Sequence, residues 1–155
     1  MATINNIERL ENDKVRIHTP RLTLRPAQPS DASHLNPAFS DPEVMRYWSA
    51  PPHKSIARTK EWISKMTDAK QNGVTDFIIT LKPDMAPIGK IGVWQGDEIG
   101  FLLAREQWGK GLAKEALNGI LPYLFGERKF EALTADIDPR NLASRGILEK
   151  MGFEQ

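Results

Sequence analysis

The sequence predicts a single α+β domain, a three-layer α/β arrangement in which a mixed, mostly antiparallel twisted sheet carries helices on both faces. Three observations point there. The chain has 155 residues, the length of one domain. Its apolar positions switch between a period of two and a period of 3.6, in the order strand, helices, three strands, helix, strand, helix. The three central strands follow one another too closely for helical crossovers, so they run antiparallel. With 40% hydrophobic and 26% charged residues, the composition suits a folded domain. At this size about 68 to 70% of the unfolded surface is buried, enough for a core without metal or disulfide staples.

Residues 1 to 14 are polar and weakly patterned and read as an extension of the domain spanning 1–155. Arg21-Leu-Thr-Leu-Arg25 alternates apolar with polar and reads as a half-buried strand, ended by Pro26 and Pro29. Ser30 and Asp31 then cap a short helix through about Ala38. A second short helix is expected from Asp41, with Pro42 in its first turn, through Val44, Met45, Tyr47 and Trp48, until Pro51 and Pro52 end it. Ser55 opens a longer one in which Ile56, Ile63 and Met66, with Trp62 beside them, keep helical spacing as far as about Gly73. Phe77-Ile-Ile-Thr-Leu81, Ile88-Gly-Lys-Ile-Gly-Val93 and Ile99-Gly-Phe-Leu-Leu103 are short apolar runs separated by turn-forming residues. Leu112, Ala116, Leu117, Ile120, Leu121 and Leu124 make an apolar helical face that Pro122 should kink or weaken. Residues 132–137 read as a further strand. The last helix runs from about Asn141 to Met151, and Gly152 stops it.

Charge and residue usage exclude several classes. The 21 basic and 20 acidic residues leave a net charge of +1, so no overall field holds a nucleic acid or an anionic membrane. The absence of cysteine removes disulfides, zinc-thiolate sites and thiol nucleophiles, and it fits a reducing compartment. The first ten residues lack a basic start and an apolar signal core, and apolar runs such as that at 101–104 are too short to span a bilayer. A cytoplasmic protein is the expectation. His18, His34 and His53 are scattered without ligand spacing, so no metal is expected and each histidine is read as surface or loop.

The most informative stretch is Gln107-Trp-Gly-Lys-Gly-Leu-Ala-Lys-Glu115, a glycine turn between a strand and an amphipathic helix. At a helix start, unbonded main-chain N–H groups converge and the dipole adds about half a positive charge, which suits a phosphate. Glycine lets an oxyanion approach the backbone, and Lys110 or Lys114 adds charge at the rim. A Walker loop is excluded, because Ala104 stands where its first glycine belongs and Gly111 where its hydroxyl belongs. A dinucleotide fingerprint is excluded by Lys114, which takes the place of its last glycine.

A second constellation, Asp138-Pro-Arg-Asn-Leu-Ala-Ser-Arg-Gly-Ile-Leu-Glu-Lys-Met-Gly-Phe153, lies downstream. Together with Trp108-Gly-Lys-Gly-Leu-Ala113, it resembles the GNAT superfamily of acetyl-coenzyme A dependent N-acetyltransferases. Gly111 and Ala113 match the last two fixed positions of that family's Arg/Gln-x-x-Gly-x-Gly/Ala motif, and Trp108 replaces the first. This departure is similar to the ribosomal-protein alanine acetyltransferase branch. Thr19-Pro-Arg-Leu-Thr-Leu-Arg-Pro26, Asp41-Pro-Glu-Val-Met-Arg-Tyr-Trp48 and Glu98-Ile-Gly100 extend the likeness from about residue 19 onward.

The resemblance implies a sheet in which two parallel central strands, near 99–103 and 132–137, splay apart and admit the thioester arm of acetyl-coenzyme A. It implies pantetheine contacts at Phe101, Leu102 and Leu103, and a diphosphate seat at Trp108, Gly109, Lys110, Gly111, Leu112 and Ala113, with Asn141 and Ser144 flanking the sulfur. An uncharged primary amine, at a protein amino terminus or on a small molecule, would attack the thioester directly, and a main-chain N–H near Leu103 would stabilise the oxyanion. Glu98 is then the base, and Ser144, or a water held by Asn141, returns a proton to the thiolate. The family's tyrosine four positions after that serine is Leu148 here. Tyr47 and Trp48 would shape the acceptor pocket. An α-amine, with a pKa of about 7.7 against about 10.4 for lysine, costs roughly 3 to 4 kcal/mol less to deprotonate near neutrality, which favours the less basic acceptors.

Each of these residues also has a plain reading. Asn141 is a good N-cap, Ser144 can assist it, Glu98 sits in a charged turn, and Tyr47 and Trp48 can be packing residues. Two other functions therefore stand beside the transferase: a catalytically silent acyl-coenzyme A binding or sensing module, and a small interaction domain with an empty turn. Relatives continue past Gly152-Phe153 with one or two further strands, so either a shortened sheet or one completed by a partner subunit, as a homodimer or strand-exchanged oligomer, is expected.

Overall fold

Six strands form one sheet in chain order in the computed structural model, which describes residues 6–67 and 75–155. They are β1 (Ile7–Arg9), β2 (Val15–His18), β3 (Leu22–Arg25), β4 (Thr75–Leu81), β5 (Ala86–Gln95) and β6 (Glu98–Leu103), and every neighbouring pair is antiparallel. The short links between β4, β5 and β6 allow nothing else. The stretch read as an extension supplies β1, an edge strand whose one apolar residue, Ile7, is half-buried. Val15-Arg-Ile-His18 buries every second residue, an alternation already visible in the sequence.

The helices are α1 (Asp31–Phe39), α2 (Ile56–Thr67), α3 (Leu112–Gly126) and α4 (Leu142–Lys150). The end of α2 expected near Gly73 lies outside the described residues. Helix α3 runs through Pro122, because buried Leu117, Ile120, Tyr123 and Leu124 pin both sides of it to the sheet. Two apolar cores result. Leu24, Ile79, Ile91, Leu117, Ile120 and Leu148 fill one under α3 and α4; Leu35, Phe39, Met45, Ile63, Ile78 and Leu102 fill the other under α1 and α2. Ile78 and Ile79 point to opposite cores, as the period of two requires.

Four expectations change. Residues 41–48 form successive turns rather than a helix. Asp41 accepts the Glu43 N–H at 2.9 Å and ion-pairs with Arg105 beyond β6, which anchors the segment by its side chain. Residues 132–137 form no strand. They meet β6 through one parallel bridge, Glu98 to Thr134, in which the Thr134 N–H donates to Asp97 O and the Ile99 N–H donates to Thr134 O. The splayed parallel pair is thus a single bridge at the sheet's edge, not two central strands. His53 is 4% exposed, boxed by Phe39 and Trp62 and bonded at 2.7 Å to the Thr59 hydroxyl. Burial, with the nearby Arg58 charge, lowers its pKa. Ser30 makes no cap bond; Asp31 instead receives Arg25 at 2.7 Å and the Gln28 N–H at 2.9 Å.

Candidate acetyl-transfer site

Beyond the Thr134 bridge, β6 and the 132–137 segment part, and the gap is a cleft of about 390 Å³. Glu98 and Phe101 from β6, Asn141 and Ser144 at the start of α4, and Tyr47 and Trp48 from the 41–48 turns all line it. The sequence separates these groups by up to 97 positions, counting from Tyr47 to Ser144. Asp136 and Asp138 complete the far wall.

The edge of β6 presents main chain to this gap. The Ile99 N–H bonds Thr134, and the Ala104 N–H bonds Ile88 on β5. Alternation therefore turns the backbone groups of Phe101 and Leu103 toward the parted side and those of Leu102 toward β5. Leu102 also buries its side chain under α1 and α2, so it lies off the cleft. The Leu103 carbonyl accepts the indole N–H of Trp108 at 3.0 Å, which pins the start of the glycine turn to the strand end.

Gly109 and Gly111 have φ of 74° and 77°, the left-handed region that glycine enters without strain. Gly111 is the N-cap of α3, so the N–H groups of its first turn have no partner within the helix. A clamp from the link between β2 and β3 holds this turn. Arg21 donates through Nη1 to Lys110 O at 2.9 Å and through Nε to Glu115 Oε1 at 2.7 Å. Glu115 Oε2 accepts the Thr19 hydroxyl at 2.6 Å and the Arg21 N–H at 2.8 Å. Burial, the largest single influence, pushes the Glu115 carboxyl up; the bonds from Thr19 and Arg21 together outweigh it and leave the pKa lowered. Sequence reasoning missed this clamp. Thr19-Pro-Arg21 and Glu115 were visible only as separate pieces, 94 positions apart.

At the start of α4, Asn141 Oδ1 accepts the Ser144 N–H at 3.2 Å, so the plain capping role is present while both residues line the cleft. Two guanidinium groups stand over the Tyr47 ring, Arg46 at 5.2 Å and Arg140 at 5.6 Å from its centre. Arg140 grips Asp138 through Nε at 2.9 Å and Nη2 at 2.7 Å, which holds that carboxyl down to about 2. A larger cavity, about 680 Å³, runs along the outside of α3 past Thr19, Gly111, Lys114 and Tyr123. None of Glu98, Asn141 and Ser144 borders it; it meets the candidate site only at the glycine turn.

The residues present fit a thioester carrier with a diphosphate. The turn offers main-chain donors around two left-handed glycines, with no heavy atom within 4 Å of where a Cβ would stand at Gly109. The strand edge that follows into the cleft offers amides of the kind an extended amide chain pairs with.

Comparison with known proteins agrees with this geometry. Residues 21–154 match the model of the acetyltransferase (GNAT) domain. The chain is 35% identical to the uncharacterised protein YkkB of Bacillus subtilis, over 92% of this chain and 87% of that one. It is 32% identical to the uncharacterised N-acetyltransferase p20 of Bacillus licheniformis, over 90% and 82%, and 23% identical to the ribosomal protein uS5-alanine N-acetyltransferase of Escherichia coli, over 92% and 79%. A crystal structure of a GNAT-family acetyltransferase from Bacillus anthracis superposes with a TM-score of 0.79 at 27% identity, covering 90% of this chain and 84% of that one. The aminoglycoside acetyltransferase AAC(6')-Ib in complex with coenzyme A superposes at 0.70 with 26% identity, covering 86% and 84%. With its glycine turn, its parted sheet edge and a domain match over nearly its whole length, the chain belongs to the GNAT acetyltransferases.

Proposed function

We propose that this protein transfers the acetyl group of acetyl-coenzyme A directly to a primary amine, the amino terminus of a protein or peptide or a small-molecule amine. The observation that supports this reading is the single cleft that gathers Glu98, Asn141 and Ser144 against Tyr47 and Trp48, beside the β6 edge that leads from the glycine turn. In this reading the carrier supplies an activated acyl group. Main-chain N–H groups at 110–113 hold its diphosphate, and the Phe101 and Leu103 backbone aligns its amide arm. Glu98 removes a proton from the attacking amine, directly or through a water. The new C–N bond forms as the thioester C=O opens to an oxyanion that a main-chain N–H near Leu103 stabilises; the C–S bond breaks as the carbonyl re-forms, and Ser144, or a water on Asn141, protonates the departing sulfur. No covalent acyl-enzyme and no metal are required, and the reaction takes place in the cytoplasm.

Thiol release from acetyl-coenzyme A, measured against peptides with free amino termini, aminoglycosides and polyamines, tests the proposal. At least one amine should give turnover that Glu98→Gln lowers about 10²-fold or more. Tight acetyl-coenzyme A binding with no release on any amine would leave the silent binding module instead.

A further inference from the structure

Lys90 lies on β5 in a setting unusual for a lysine. It is 8% exposed, between Ile78 and Leu102 in the row of cross-strand partners, on the face under α1 and α2. A buried ammonium survives only with compensation. Asp76 supplies part of it, with Oδ2 at 3.2 Å from Nζ. Two indoles supply the rest: the Trp48 ring centre stands 5.9 Å and the Trp62 ring centre 5.6 Å from Nζ, and the rings are 6.1 Å apart. The cation therefore sits against both rings at once.

Trp48 is the member of this group that borders the cleft. The sheet beneath it is cut away. Gly92 and Gly100 face each other across β5 and β6, and a Cβ added at Gly100 would lie 3.5 Å from Trp48 Cη2. No side chain from Gly100 props the indole, so at that position the sheet supports it only as a floor. What holds its orientation comes from the side, where the Trp62 ring and the Lys90 ammonium both stand against it.

We propose that Lys90, itself fixed by Asp76, is a positioning residue that sets the Trp48 indole as the acceptor wall of the cleft. The proposal rests on the reading that an amine acceptor occupies the Trp48 side. A methionine at position 90 fills a similar volume without the charge, whereas arginine keeps both the charge and the reach to Asp76.

The test uses Lys90→Met, Lys90→Arg, Trp48→Phe and the double variant Lys90→Met with Asp76→Asn, which removes both buried charges if the single change fails to fold. Acrylamide quenching of tryptophan emission needs no acceptor, and subtraction of the Trp48→Phe signal isolates Trp48. Loss of the ammonium should raise Trp48 quenching, and Lys90→Arg should restore it. With an amine that the wild type acetylates, the amine KM should rise about 3- to 30-fold, the range of a partly desolvated cation–π contact, while kcat and the acetyl-coenzyme A KM stay put. Unchanged Trp48 quenching overturns the proposal, and so does altered quenching with an unchanged amine KM. If no amine is acetylated by the wild type, the transferase reading fails on that result, and the quenching series still decides whether Lys90 holds Trp48.

Discussion

Replacing Glu115 with alanine removes the centre of the clamp on the glycine turn, and its cost can be worked from the contacts. The Arg21 N–H loses its charged acceptor at 2.8 Å, a kind of hydrogen bond worth about 1.5–3 kcal/mol. The Thr19 hydroxyl keeps Leu22 O at 3.3 Å and adds little. The Arg21 side chain is 48% exposed, so solvent screening limits its ion pair to about 0–1 kcal/mol. A loss of about 2 kcal/mol follows, or roughly 4–8 °C in Tm for a chain of this size. With Arg21 no longer steered to Lys110 O, acetyl-coenzyme A affinity should fall about tenfold, the equivalent of one hydrogen bond. The pH dependence has a definite sign. The folded pKa of Glu115 lies below the ordinary 4.5, so its stabilisation is complete above that value and is lost as pH falls through the folded pKa. The gap between wild type and Glu115→Ala should be widest at neutral pH and close in acid. Calorimetric melts across pH, with isothermal titration of acetyl-coenzyme A, measure both effects. An equal Tm at pH 7, a gap that persists undiminished in acid, or full carrier affinity in the variant would refute the clamp.

Gly111→Trp should abolish acetyl-coenzyme A binding by titration calorimetry, because the side chain fills the diphosphate seat and a left-handed φ of 77° adds about 1–2 kcal/mol of strain. Gly92→Ala should lower stability by about 3 kcal/mol or more in urea denaturation, since its Cβ would lie 2.2 Å from Thr75 O and 2.5 Å from Asp76 Cα, both main-chain atoms. Arg140→Ala removes the guanidinium bonds that are the main hold on Asp138 but keeps the main-chain N–H of residue 140 at 2.8 Å, so a carbon-detected NMR titration should find that carboxyl raised from about 2 yet still below the ordinary range.

The central strands and both helices flanking the candidate site were legible because each carries its own period. Ile88 to Val93 and the α3 stripe need no distant partner to be recognised. The position of Gly111 at the head of α3 was legible for the same reason, as was the Asn141 cap. What escaped depended on contacts across the chain. The 41–48 segment has helical spacing, yet the Asp41 side chain is drawn to Arg105, and tertiary pairing overrides propensity. The 132–137 run has strand composition, but among the described residues its main chain bonds only Asp97 and Ile99. His53 lies in a loop as expected, yet it is buried, and nothing local reveals that Phe39 and Trp62 close over it. The Arg21 and Glu115 clamp joins residues 94 positions apart, and no short window of sequence contains it.

Gly100 under Trp48, with Gly92 opposite it on β5, constrains how this recess can change over generations. A floor without a side chain at position 100 offers nothing to trim, and position 92 tolerates nothing larger than hydrogen, so a roomier binding space above this floor comes from shrinking residue 48. Position 100 leaves ordinary contact distance for a methyl group, which makes it the place to narrow the space instead. A library seeking new acceptors would vary those two sites together and leave 92 alone.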